Sequence, residues 1–137
     1  MDIQLSFTSS EAHAGVDQKA LLGDLEAEVA KLEPYLAGKP KPVSVAAPPG
    51  AQGEAHIIQW LLHFASDPKN TIVYARLFIF AINKILESRT KKVVVHKGSK
   101  EQKRPTPVTI KALGKELALP TATRVIEEFL KYLYSQS

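Results

Sequence analysis

The sequence of 137 residues has no cysteine. That excludes disulfides, thiol catalysis and cysteine-based zinc sites together, and it fits a reducing compartment. It also lacks a long apolar run. The longest lies within Thr71–Leu86 and is interrupted by Arg76 and Asn83, short of the roughly 20 apolar residues that a membrane-spanning helix requires. The opening residues, MDIQLSFTSSEAHAG, carry Asp2 and no early lysine or arginine. They have neither the basic region nor the apolar region of a signal peptide. A cytoplasmic protein without a membrane span is therefore expected.

Recognisable catalytic and cofactor motifs are missing as well. Gly50 and Gly53 stand between a strand-like and a helix-like segment, where phosphate loops sit. Glu54-Ala55 follows them instead of the Lys and Ser or Thr that such a loop needs. His56 and His63 are seven apart, whereas helical metal pairs sit four apart, and no third ligand is near. His13 and His96 stand alone, and no serine or threonine occupies a nucleophile elbow. No metal, cofactor or catalytic residue is assigned, and an enzyme is not expected.

What is present is enough for one domain covering 1–137, since a chain of this length buries a real core. Ile3, Leu5 and Phe7 alternate with polar residues, as a half-buried strand requires. Asp17 can cap a helix whose Leu21, Leu22, Leu25, Val29, Leu32 and Leu36 recur at helical spacing before Gly38 and Pro40 end it. Pro42–Ala47 reads as a short strand. Glu54 opens an expected helix carrying Ile57, Ile58, Leu61, Leu62 and Phe64, which Asp67-Pro68 breaks or kinks. Thr71–Ser88 resumes as a helix that is apolar around most of its circumference, so it is buried on several sides or also meets a partner. Lys91–His96 reads as a strand and residues 97–106 as a basic loop. Pro107–Leu113 and Glu116–Leu119 form a hairpin around Gly114-Lys115. After Pro120-Thr121, Val125 to Leu133 form a last amphipathic helix. The expected fold is α+β: a single mixed sheet of four to five strands with three to four helices, in the order β-α-β-α-α-β-β-β-α.

The net charge of +4 is unevenly spread. Residues 1–70 hold five lysines against nine carboxylates, a net −4, whereas residues 71–137 hold thirteen lysines and arginines against five glutamates, a net +8. Such polarity steers an acidic partner, a nucleic acid or a second copy of the chain. The densest part is Arg89, Lys91, Lys92, Lys97, Lys100, Lys103 and Arg104, opposed only by Glu101. It can contact phosphates but holds no aromatic residue to stack on bases; a solvated, lysine-protected strand edge is its ordinary explanation, ahead of docking to an acidic protein and of nucleic-acid binding. Trp60, Phe78 and Phe80 are the aromatic candidates for an interface, each with the core as its ordinary alternative.

The layout of these segments resembles the effector-associated constant component family of bacterial conflict systems. The resemblance rests on the first strand, helix and short strand, the link Pro48-Pro49-Gly50-Ala51-Gln52-Gly53 and the apolar stretch Ile57–Leu86. It extends through the basic flank and strand Arg89–Val95, the hairpin Val108–Gly114 and the closing helix Thr121–Leu133. Members are encoded beside variable effectors such as caspase-like peptidases, and their central segment often resembles a membrane span. Here Trp60, His63, Asp67, Lys69, Arg76 and Asn83 interrupt that segment. The resemblance implies a non-catalytic adaptor that binds a protein effector, itself, or both. The partner-binding residues would come from Trp60, Phe78, Phe80, Arg89, Lys91, Lys97, Lys100, Lys103 and Arg104. The alternatives are a small nucleic-acid-binding module using residues 89–104, and a small toxin-like enzyme.

Overall fold

In the computed structural model, residues 1–9, 18–46, 56–89 and 106–136 are described. They run β1 (Asp2–Ser9), α1 (Gln18–Leu32) with a short 3-10 turn (Glu33–Tyr35), β2 (Val43–Ala46), β3 (His56–His63), α2 (Pro68–Arg89), β4 (Val108–Ala112), β5 (Lys115–Leu119) and α3 (Thr123–Gln136). The fold is α+β, with one five-stranded sheet and three α-helices. The strand expected at Lys91–His96, most of the basic loop and the cap Asp17 lie outside the described residues.

The strand order is β2-β3-β1-β4-β5, and every neighbouring pair is antiparallel. A mixed sheet was expected because β1-α1-β2 reads as a parallel unit. The two strands do run the same way, but β3 is inserted between them and pairs with both.

That insertion also overturns the helix expected at Glu54–Phe64. Apolar runs as short as Ile57–Leu62 do not separate strand from helix by periodicity. The environment decides here. β3 alternates with period two: Trp60 and Leu62 are buried, while Leu61 and His63 are exposed. Its backbone is consumed by β1 on one side and β2 on the other. Asp67-Pro68 is accordingly a helix start and not a break. Proline suits the first helical position, and the Asp67 carboxylate accepts a hydrogen bond from the Asn70 amide at 2.8 Å.

Strand alternation places Ile3, Leu5 and Phe7 of β1 beside Leu62 and Trp60 of β3 and Val108 and Ile110 of β4, all buried. Leu21, Leu25 and Val29 of α1, Phe78, Ile79 and Ile82 of α2, and Ile126, Phe129 and Leu133 of α3 complete this core. All three helices thus cover one face of the sheet, with α2 in contact with both α1 and α3. The other face carries Gln4, Ser6, Thr8, Gln59, Thr109, Lys111 and Glu116 around a shallow concavity.

Candidate functional site

The helix-free face of the sheet is nearly neutral, polar over β1 and β4 and more apolar toward β2, where Ile57, Leu61 and Val43 lie. Among its described residues it presents no Phe, Tyr or Trp ring on which a base could stack, and its exposed His63 is engaged with Asp2. It offers hydroxyls, amides and the Lys111–Glu116 cross-strand pair. Nor does any group of three or more His, Asp or Glu among the described residues come together to hold a metal ion.

The helix layer is different. α2 must bury Ala75, Phe78, Ile79, Ile82 and Leu86 beneath it, yet it also carries apolar residues on the outside. Val73 is 54% exposed and Leu77, one turn later, 67%. Beside them runs a groove of about 330 Å³ between α1 and α2. Leu32, Tyr35, Tyr74, Phe78 and Ala81 line it with Leu77, and Glu28 and Lys31 stand at its rim. Tyr35 and Tyr74 stack with ring centres 3.9 Å apart, a rigid aromatic end wall with two polar hydroxyl tips. Lys31 and Glu28 are bonded to each other at 2.9 Å, so the rim charges are already paired.

Two ion pairs tie the outer helices to α2. Arg89 donates to Asp24 of α1 at 2.6 Å. Arg76 holds the Glu127 carboxylate of α3 with both guanidinium amines, and its guanidinium lies 5.2 Å from the centre of the Phe80 ring. The hydrogen bond to Arg76 holds the Glu127 carboxyl below its ordinary range, and the same bond raises Arg76. A carboxylate whose folded-state pKa is lowered stabilises the fold fully above its unfolded value of about 4.3, and that contribution fades as pH falls through the folded value. Glu127→Gln should therefore be less stable than the parent protein at pH 7. The gap should close as pH drops below the carboxylate range, as read by urea melts at each pH. A gap that persists at pH 3 would remove the ion pair as its cause.

The structure distributes the sequence candidates unevenly. Trp60 is 2% exposed and faces Leu5 across the β1–β3 ladder. Phe78 is 3% exposed. Both are core residues, and neither presents a platform to a partner, although Phe78 forms part of the groove floor. Phe80 is partly buried against the core beneath Arg76. Arg89 is spent on Asp24. Lys91, Lys97, Lys100, Lys103 and Arg104 lie outside the described residues.

His56 and His63 lie on the strand β3 and not on a helix. His63 Nδ1 lies 2.8 Å from Asp2 Oδ1. Glu127 of α3 is Arg76's partner. The residues missed were Tyr35 and Tyr74, separated by 39 positions in sequence. Only the excess of apolar residues around α2 hinted at a second buried surface.

No family of known proteins, no curated protein and no solved structure matches the chain. Among the described residues, no helix is long and apolar enough to cross a membrane.

Proposed function

We propose that the protein is a non-catalytic interaction protein whose α1–α2 groove receives an apolar segment of a partner protein. The observation that carries this reading is the pair Val73 and Leu77, exposed at 54% and 67% one turn apart beside the stacked tyrosines. Isolated exposed apolar residues are ordinary, but a contiguous apolar groove with a paired polar rim fits a protein interface. Aromatic anchors beside a pocket are where binding energy concentrates. The layout resemblance described above suggests the partner: an effector of a bacterial conflict system, a caspase-like peptidase being one example. The same resemblance supports reading the protein as an adaptor that brings the effector into an active assembly.

The test is co-purification of the tagged protein from its native host, with mass spectrometry of what accompanies it. A protein partner recovered in stoichiometric amount is expected. Leu77→Lys should lower its recovery by about thirtyfold, the effect of losing roughly 2 kcal/mol at an interface hot spot. Its thermal midpoint should change little, because solvent-facing substitutions usually stay within about 0.5 kcal/mol. Recovery unchanged by Leu77→Lys would remove the groove as the site. Nucleic acid alone, lost as salt rises, would replace this reading with phosphate binding by residues 89–104.

A further inference from the structure

The two edges of the sheet differ in length and sequence. β2 is only four residues long, Val43-Ser44-Val45-Ala46, and is preceded by Lys39-Pro40-Lys41-Pro42. A very short edge strand is one protection against pairing with another chain. β5, at the opposite edge, is Lys115-Glu116-Leu117-Ala118-Leu119, with no proline until Pro120.

The geometry of the β4–β5 hairpin shows which backbone groups of β5 face outward. Leu113 and Gly114, at the centre of the turn, both have positive φ, 50° and 81°. That is the two-residue turn that makes the flanking Ala112–Lys115 pair hydrogen-bonded. Hydrogen-bonded pairs alternate along an antiparallel ladder, so Ile110–Leu117 and Val108–Leu119 are bonded as well. The Thr8 amide donates to the Pro107 carbonyl at 2.8 Å, which gives the same parity from the other side of β4. Lys115, Leu117 and Leu119 therefore turn their backbone groups toward β4. The N–H and C=O groups of Glu116 and Ala118 point away from the sheet, and no strand among the described residues pairs with them.

We infer that this edge pairs with the β5 edge of a second copy, joining two sheets across a two-fold axis at Leu117. Only one register uses every outward group. With Glu116 opposite Ala118 of the second copy, both residues of each strand are bonded, and no like charges face each other. Moving the register one way sets the two Glu116 carboxylates opposite each other. Moving it the other way sets Glu116 against Pro120, which has no N–H to give. In the favoured register Leu117 faces its own counterpart, and Lys115 faces Leu119. Lys115 is held within its own protomer, 4.9 Å from the centre of the Tyr132 ring. The contact is isologous and uses the β5 edge of both copies, so this contact closes at a dimer and does not run on into a fibre.

The register gives the experiment a sign. Ala118 is exposed on the helix-free face, so its side chain can be changed without opening the core. Sedimentation equilibrium of the full chain, up to millimolar concentration and at low salt, should show a reversible monomer–dimer equilibrium. Ala118→Glu, which sets carboxylates against Glu116 of the other copy at two symmetric places, should weaken the dimer by about fivefold. Ala118→Lys should strengthen it by a similar factor, as cross-strand charge pairs do. Both effects should shrink in high salt. Three results would overturn the inference: a monomer at every concentration, dimerisation indifferent to both substitutions, or a response of the same sign to both. A monomer would assign the edge to an extended strand other than a second β5. The groove variant Leu77→Lys reads a different surface, so the two proposals fail separately.

Discussion

Trp60→Ala is expected to destabilise the domain by about 3–5 kcal/mol, the usual cost of emptying a buried tryptophan site. That is a large share of a typical total of about 5–15 kcal/mol. Trp60 is among the largest fully buried side chains of the domain. It stands on the central part of β3, opposite Leu5 of β1, which is itself paired with Ile110 of β4. Its removal opens a void beneath the helix layer that the surrounding strands, fixed by ladders on both sides, cannot close. Urea denaturation followed by far-ultraviolet circular dichroism reads the loss without relying on the fluorescence of the missing ring. Trp60→Phe, which keeps the site apolar, should cost clearly less. Partner recovery with Trp60→Phe should stay close to that of the parent protein. A midpoint for Trp60→Ala equal to the parent's would mean that the ring is not packed as described.

Asn83→Leu is expected to cost about 2–4 kcal/mol, although it replaces a polar residue in a mostly apolar helix by a better helix former. Asn83 is 5% exposed. Its side-chain oxygen accepts the Thr121 amide at 2.9 Å, and its amide donates to the Thr121 carbonyl at 3.1 Å. It thereby fastens α2 to the connection between β5 and α3. Leucine has the same branched shape, though it is bulkier, and leaves both backbone groups of Thr121 without their partner; the unmet groups set the penalty. Asn83→Asp separates the two halves of the bond. It can still accept from the amide but, when ionised, faces the Thr121 carbonyl and Glu87, the latter 3.3 Å from the present amide nitrogen. Burial and a like charge raise the pKa of such a carboxyl in the folded state. Its stability relative to the parent protein should therefore be worst near neutral pH and recover as pH falls. Urea melts of the three proteins at pH 7 and pH 4 distinguish the outcomes. Parent-like stability for Asn83→Leu would show that water replaces the lost contacts.

Both predictions turn on residues whose roles were unevenly legible. Trp60 was an interface candidate from sequence because tryptophan is favoured at interfaces, although beside Leu61-Leu62 it more often belongs to a core. Its alternation with Leu61 in β3 resolves the matter: Trp60 is 2% exposed and Leu61 49%. Asn83 looked like an interruption of an apolar segment. Its partner, Thr121, lies 38 positions away, and no local pattern announces such a bond. Arg89 shows the same limit, since it belongs to a basic run in sequence and to an α1–α2 ion pair in space.

The sequence by itself determined what depends on neighbours along the chain. The alternation of β1, the leucine spacing of α1, the hairpin of β4 and β5 and the amphipathic α3 all follow from side-chain periodicity and turn chemistry, which act over a few residues. So does the α+β class. The hairpin turn itself fell one residue earlier than read, at Leu113-Gly114, because Leu113 accepts the left-handed backbone that its position demands. Tertiary structure alone decided whether residues 56–63 were helix or strand, since the run is apolar enough for either and only pairing with β1 and β2 gives its backbone partners. It alone decided which apolar residues of α2 went under the helix layer and which stayed at a groove, and which backbone groups of β5 no described strand pairs. Each of these rests on contacts between segments far apart in sequence, whose free energy comes from shared burial and satisfied backbone groups and leaves no local periodicity to read.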